Sequence, residues 1–215
     1  TQQAELKQLQ YQINPHFLYN SYFILHRMVL IEDMENAASF SKQLGTYLQF
    51  ITRSGADEAP LSKEVEHAGV YSEIQARRFI GRIRIEFNDL PEEYSNILVP
   101  RLIIQPVIEN AFEHGLKNKA ENGLLVISFQ QLDRGLLIMV EDNGDDLKEE
   151  ELDSLALQLD SYEHASGIET TAIINSHKRL RFIFGESSGI SFTRSGLGGL
   201  KVVIRIVFKK ENDNV

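Results

Sequence analysis

The residue patterning predicts an α+β chain, with a pair of antiparallel helices leading into a mixed α/β layer. Three observations carry this. Apolar residues recur at helical spacing over the first fifty or so positions, and short alternating runs mix with helical ones after Phe79. Between them lies Gly55-Ala56-Asp57-Glu58-Ala59-Pro60, a stretch with the composition of a boundary. The division expected from this is 1–60 for the helices and 61–215 for the layer.

Taken in order, Leu6, Leu9, Ile13, Phe17, Ile24, Met28 and Ile31 form the stripe of a first helix. Ala38, Leu44, Leu48 and Ile51 mark a second, from about Glu35 to Thr52. The short acidic link at Glu32-Asp33 makes the two antiparallel. Two helices bury too little alone, so a four-helix bundle formed by dimerisation is the natural completion. Ser62-Lys63-Glu64-Val65 enters a third helix. Ile83 to Phe87 alternates as a strand, and Asn88 to Asn96 reads as a polar loop. Pro100 to His114 reads as a helix closed by Gly115. Leu124 to Phe129 and Leu136 to Val140 are strands about an Asp133-Arg134-Gly135 turn. An acidic helix (Lys148 to Leu159), a loop, a helix (about Thr170 to Phe184) and two strands (Ile190 to Thr193, Val202 to Phe208) complete the chain.

Composition narrows the function. The 215 residues carry a formal charge of -9, which disfavours a nucleic-acid partner bound through phosphates. With no cysteine, disulfides, thiol catalysis and cysteine metal sites are excluded. No apolar run approaches a membrane helix, and no signal-peptide pattern appears. The opening, Thr1-Gln2-Gln3-Ala4, has neither an initiator Met nor a cap, and reads as part of something longer.

Three segments could carry chemistry. In Asn14-Pro15-His16-Phe17-Leu18-Tyr19-Asn20 a proline stands in a helical pattern, where it costs a hydrogen bond. His16 lies on the flank of the apolar stripe, within reach of solvent, with Asn20 one turn on. In Pro100 to Gly115, Asn110 and His114 share one helix face, and Glu109 and Glu113 repeat that spacing beside it. An amide and an imidazole there can hold a metal–phosphate group, with a carboxylate to orient water or take a proton. In Val140-Glu141-Asp142-Asn143-Gly144, an aspartate at a strand end next to a glycine suits an adenine amino group. The other histidines have plainer readings: His26 and His67 on polar helix faces, His164 in a loop, and His177 on a basic face beside Lys178 and Arg179.

These three boxes, in this order, resemble the sensor histidine kinases of two-component systems whose phosphoacceptor box reads N-P-H-F-L-Y-N. Asn175-Ser176-His177-Lys178-Arg179-Leu180 is similar to the helix that follows their ATP lid. The resemblance implies a homodimeric bundle carrying His16, joined to an ATP-binding sandwich of the kind shared with gyrase. It implies autophosphorylation of His16 by ATP, then transfer to an aspartate on a response regulator. By carry-over Asn110 holds Mg²⁺, supported by Glu109 and His114. Asp142 and Gly144 receive adenine, Asn175 and Arg179 adjoin the nucleotide, and Asn20 assists regulator dephosphorylation. Such a core is the cytoplasmic portion of a membrane sensor. Two positions depart from the family: Asp146 replaces a second glycine, and Thr170 to Ile174 lacks the glycines whose amides approach phosphate. A weakened lid would favour a dimeric scaffold or regulator phosphatase instead.

Overall fold

The computed structural model describes residues 15–52, 57–161 and 172–208. Helix α1 (Pro15–Leu30) reverses into α2 (Met34–Thr52), as the acidic link predicts. Glu32 takes the left-handed conformation (φ 59°), and the Asp33 carboxylate accepts the N–H of Asn36 as an N-cap. Whether Pro15 lies inside a longer helix falls outside the described residues.

The buried face of α2 consists of Ala37, Phe40, Tyr47 and Ile51, whereas Ala38 is exposed. The stripe turns because α2 is covered on two sides, by α1 and by α3 (Leu61–Arg78). One side of α1 remains open, with Tyr19, Tyr22, Phe23, Leu30 and Ile31 all more than half exposed.

The layer is a five-stranded sheet in the order β2-β4-β5-β7-β6, from β2 (Ile83–Phe87), β4 (Gly123–Leu132), β5 (Gly135–Asp142), β6 (Gly189–Arg194) and β7 (Leu200–Val207). Only β2 and β4 are parallel; the other pairings are antiparallel. Leu125 and Ile127, Leu136, Ile138 and Val140, and Val202, Ile204 and Ile206 face the core at period two. A Cβ at Gly135 would fall 2.0 Å from the carbonyl oxygen of Ile206, so glycine there lets β7 pair closely with the start of β5.

Helices α3, α4 (Gln105–Asn110) and α6 (Ala172–Phe184) cover the inner face, and α5 (Glu149–Ser161) packs on β6 and α6. Two short strands were not apparent from patterning. Glu58–Pro60 (β1) pairs with Leu98–Pro100 (β3), and three residues are too few to show alternation. A 3₁₀ turn, Glu92–Tyr94, interrupts the expected polar loop. The helix expected from Pro100 starts only at Gln105, because Leu102 is left-handed (φ 60°). Pro106 then sits in the first turn, where a missing N–H costs nothing. Past Asn110 the helix widens into a π turn over Ala111–Gly115. No described helix is long and apolar enough to cross a membrane.

Candidate functional site

The helix bearing Glu109 and Asn110 is launched by a turn held from three sides. The carboxylate of Glu64, on α3 and fully buried, accepts the backbone N–H groups of Leu102 and Ile103, the latter at 3.2 Å. That secures the left-handed Leu102, which a β-region or helical preference would otherwise release. Arg179 of α6 donates to the carbonyl oxygens of Arg101 (2.7 Å) and Asp57 (3.1 Å). Arg101 in turn donates to the carbonyl of Phe50 on α2. Burial pushes the Glu64 carboxyl up to about 7, against the pull of those N–H groups and of Arg179.

The far end of the same segment meets the third box. A Cβ on Gly115 would lie 2.5 Å from the Asp142 carboxylate, and one on Gly199 only 2.0 Å from its Oδ1. One on Gly144 would lie 2.6 Å from the Gly115 carbonyl oxygen. Asp142 is therefore enclosed by three positions that admit no side chain. Its Oδ1 accepts the N–H of Gly144 (2.8 Å) and of Leu200 (3.4 Å), so Oδ2 is the oxygen those donors leave for a ligand amine. Burial raises its carboxyl above the usual range, opposed by the two N–H groups and Lys119. Gly199 was not among the residues expected at the site. Its signal was a double glycine at the start of a strand, where one turn glycine would have sufficed.

His16 is exposed on the first turn of α1. The Asn20 amide nitrogen lies 3.1 Å from its Nε2 and 3.3 Å from its Nδ1. The next residue, Phe17, is buried, with its ring 4.6 Å from Tyr47 and 5.0 Å from Tyr71 of α3. Gln105 of the second segment donates to the Tyr47 hydroxyl (3.4 Å). Burial pushes Tyr47 up to about 12, against the Gln105 hydrogen bond, and also raises Tyr71. The first and second boxes thus meet at one seam of side chains.

Other expected site residues lie apart from these contacts. Asn175 and His114 are exposed, and Arg179 spends its guanidinium on backbone carbonyls. Ala172, Ile173 and Ile174 form the first turn of α6, with both isoleucines buried. Gly167, Thr170, Thr171 and His164 lie outside the described residues. Asp146 is exposed and accepts from Asn118 (3.2 Å).

Two histidine assignments need correction. His67 is 3% exposed, not on a polar face; it stacks on Phe50 at 4.2 Å and bonds Gln105 through Nε2 (2.7 Å). Its Nδ1 is buried without a hydrogen bond among the described residues, and burial lowers its pKa to about 4. His177 is buried rather than on a basic face, its Nδ1 accepting the N–H of Ile190 (3.0 Å). In both cases a neighbouring element covers a helix face that is polar by its own sequence.

Among the described residues no cluster of three or more acidic or histidine side chains could hold a metal alone. Glu109 and Asn110 offer two adjacent oxygen donors. That is enough for Mg²⁺ when phosphate and water supply the remaining ligands.

A family model described as histidine kinase matches residues 4–83. The sensor protein LytS of Oceanobacillus iheyensis is 29% identical over 199 residues, covering 92% of this chain and 34% of that protein. The sensor histidine kinase BtsS of Escherichia coli is 28% identical over 209 residues, covering 97% of this chain and 34% of that protein. The chain thus spans about a third of the length of these curated relatives. A histidine kinase domain from the blue-light activated kinase of Erythrobacter litoralis EL346 aligns over 90% of this chain and 93% of its own, at 18% identity and a TM-score of 0.47. The chain is thus similar to histidine kinases through a family match at its amino-terminal end and through sensor-kinase relatives aligned along nearly its whole length.

Proposed function

We propose that the chain is the cytoplasmic kinase core of a two-component sensor, which phosphorylates His16 from ATP and passes the phosphoryl group to a response-regulator aspartate. The observation that supports this best is the convergence of the boxes. Gly115 lies on Asp142 at one end of the Glu109–Asn110 segment, and the Phe17 seam reaches Gln105, one turn before Glu109, through Tyr47. Adenine donates its amino group to Asp142, with Gly144 leaving room for the ring. Asn110 would hold Mg²⁺, supported by Glu109 and His114, with Asn175 and Arg179 adjoining the nucleotide. Bound there, Mg²⁺ would neutralise charge on the transferring group, and positioning by the protein does most of the rest. The imidazole nitrogen of His16 attacks the γ-phosphorus, and ADP leaves. Asn20 releases the ring for that step. The exposed apolar side of α1 is the surface a second copy covers in a homodimer.

Incubation with γ-labelled ATP and Mg²⁺ tests this. Acid-labile label is expected on the chain and none on His16→Ala. A folded dimer that binds ATP yet takes no label would defeat the reading.

A second reading, a regulator phosphatase or scaffold with little turnover, is favoured by the Asn20 amide beside His16 and by the glycine-free run before Asn175. One relative is named sensor histidine kinase/phosphatase LytS, from Staphylococcus aureus, at 29% identity. Loss of phosphate from a labelled regulator, dependent on Asn20 and on no ATP hydrolysis, would select it.

A further inference from the structure

The two parts of this chain are docked on each other at the His16 end. Antiparallel pairing sets the start of α1 beside the last turns of α2, so Phe17 meets Tyr47. From there the seam runs along α2. Arg77 of α3 lies over the Phe40 ring at 5.6 Å, Gln43 donates to Glu73, and Tyr47 stacks on His67 at 5.1 Å. Arg101 grips the end of α2 twice, through the Phe50 carbonyl and by lying 4.7 Å over its ring. Thr52 and Glu58 are the bounds of α2 and β1, so the link is residues 53–57. Fully extended it reaches roughly 20 Å. The ATP-binding layer therefore cannot stray far from the end of the hairpin that carries its own His16.

Phe17 sets the rotation of α1 in this arrangement. Its ring is 1% exposed between tyrosines from α2 and α3. His16, one position back and about 100° around the helix, is thereby turned to the margin of the seam. Gln105 meets the seam from the layer's side, donating to the Tyr47 hydroxyl (3.4 Å) and bonding His67 (2.7 Å).

Building on the kinase reading above, we propose that Phe17 is a positioning residue for phosphorylation in cis. Seated between Tyr47 and Tyr71, it presents His16 to the ATP-binding layer of its own chain.

Mixed dimers decide the point. His16→Ala and Asn110→Ala subunits, co-expressed with different tags and purified through both, are incubated with γ-labelled ATP and Mg²⁺. In cis neither subunit is competent, and label falls about 100-fold below wild type, the scale of a misplaced nucleophile. Label on the Asn110→Ala subunit near half the wild-type level would overturn the proposal. Wild-type dimers that take no label would instead defeat the kinase reading, and the docking is then read without activity. The chain has no cysteine, so Gln43→Cys with Glu73→Cys supplies one pair for a short bis-maleimide. A cross-linked chain of monomer mobility on a denaturing gel is expected, whereas a covalent dimer overturns the proposal. Phe17→Ala completes the test. Labelling from ATP should slow about 100-fold with KM for ATP unchanged. Chemical phosphorylation of His16 by phosphoramidate, which bypasses the ATP-binding layer, should not change. A parallel loss with phosphoramidate would mean that Phe17 only keeps α1 folded, and the positioning role would fail.

Discussion

Around Asp142 the fit is made by backbone and by missing side chains, while around Tyr71 it is made by large side chains drawn from separate segments. Two N–H groups hold the Asp142 oxygen, and three glycines close on it without room for a methyl group. Tyr71 instead touches Phe17 and Tyr47, and its hydroxyl accepts from Gln75 at 2.7 Å. The cradle should therefore tolerate no addition, and the seam no subtraction. The two can be broken separately.

Subtraction at the seam has the largest expected effect. Tyr71→Ala removes a fully buried ring and should cost about 4 kcal/mol, read as a lower urea midpoint at unchanged slope. ATP affinity of the folded fraction should hold, since the contacts around Asp142 are made by Gly144, Leu200, Gly115 and Gly199. Tyr71→Phe keeps the ring and strands only the Gln75 amide, a loss of about 1 kcal/mol. Equal losses from the two variants would mean that the hydroxyl, not the packing, holds the seam.

The next effect comes from two buried titratable groups beside the seam, Glu64 and His67. Glu64 is raised from 4.5 to about 7, so the folded chain holds its proton more tightly. Its contribution is present below pH 4.5 and lost as pH rises through 7. His67 is lowered from 6.5 to about 4, so the folded chain holds its proton less tightly. Its contribution is present above pH 6.5 and lost as pH falls through 4. Between those limits the slopes oppose each other, and these two groups leave the wild type nearly flat. Glu64→Gln removes one arm, and stability should then rise by about 3 kcal/mol from pH 4 to 6.5. Urea midpoints at several pH values measure it; a variant as flat as wild type would disprove the opposition.

The same contrast explains what could be read in advance. The cradle's Asp142 and Gly144 are neighbours in the chain, and Gly115 closes a helix pattern, so local spacing exposes them. Short apolar runs bounded by turn residues likewise revealed the five strands of the main sheet, with Ile83–Phe87 also alternating by sequence. The seam has no such signature. His67 looks polar-faced on α3 alone and is buried only because Phe50 and Gln105 arrive from elsewhere. Glu64 reads as an ordinary helix-entry acid until the Leu102 turn folds onto it. Gly199 lies between, a local oddity whose reason is a contact with a residue far away in sequence.

Addition at the cradle follows in size. Gly199→Ala places a methyl group against Asp142 Oδ1 and the Gly144 N–H, and one of them must shift. Overpacking of this kind costs about 1–3 kcal/mol, or roughly 10- to 100-fold in ATP affinity if the strain falls on the bound geometry. Titration with a fluorescent nucleotide measures it. Unchanged affinity would mean that the loop moves freely and that Asp142 is not the adenine acceptor.

The smallest effect is expected at Asp146, and it separates the cradle's floor from its rim. By sequence this carboxylate stands where the family carries a glycine, and an inward-pointing charge there would repel nucleotide phosphate. In the fold it points outward, exposed and accepting from Asn118, while the adjacent Asp145 pairs with Lys119 at 2.8 Å. A solvated charge held this way is screened, and removing it should matter little. Asp146→Gly should leave ATP affinity within about twofold and stability within about 0.5 kcal/mol. A gain of tenfold or more in affinity would show that the carboxylate reaches the bound nucleotide. The rim would then count with the floor as part of the site, and the replaced glycine as a real handicap to ATP binding.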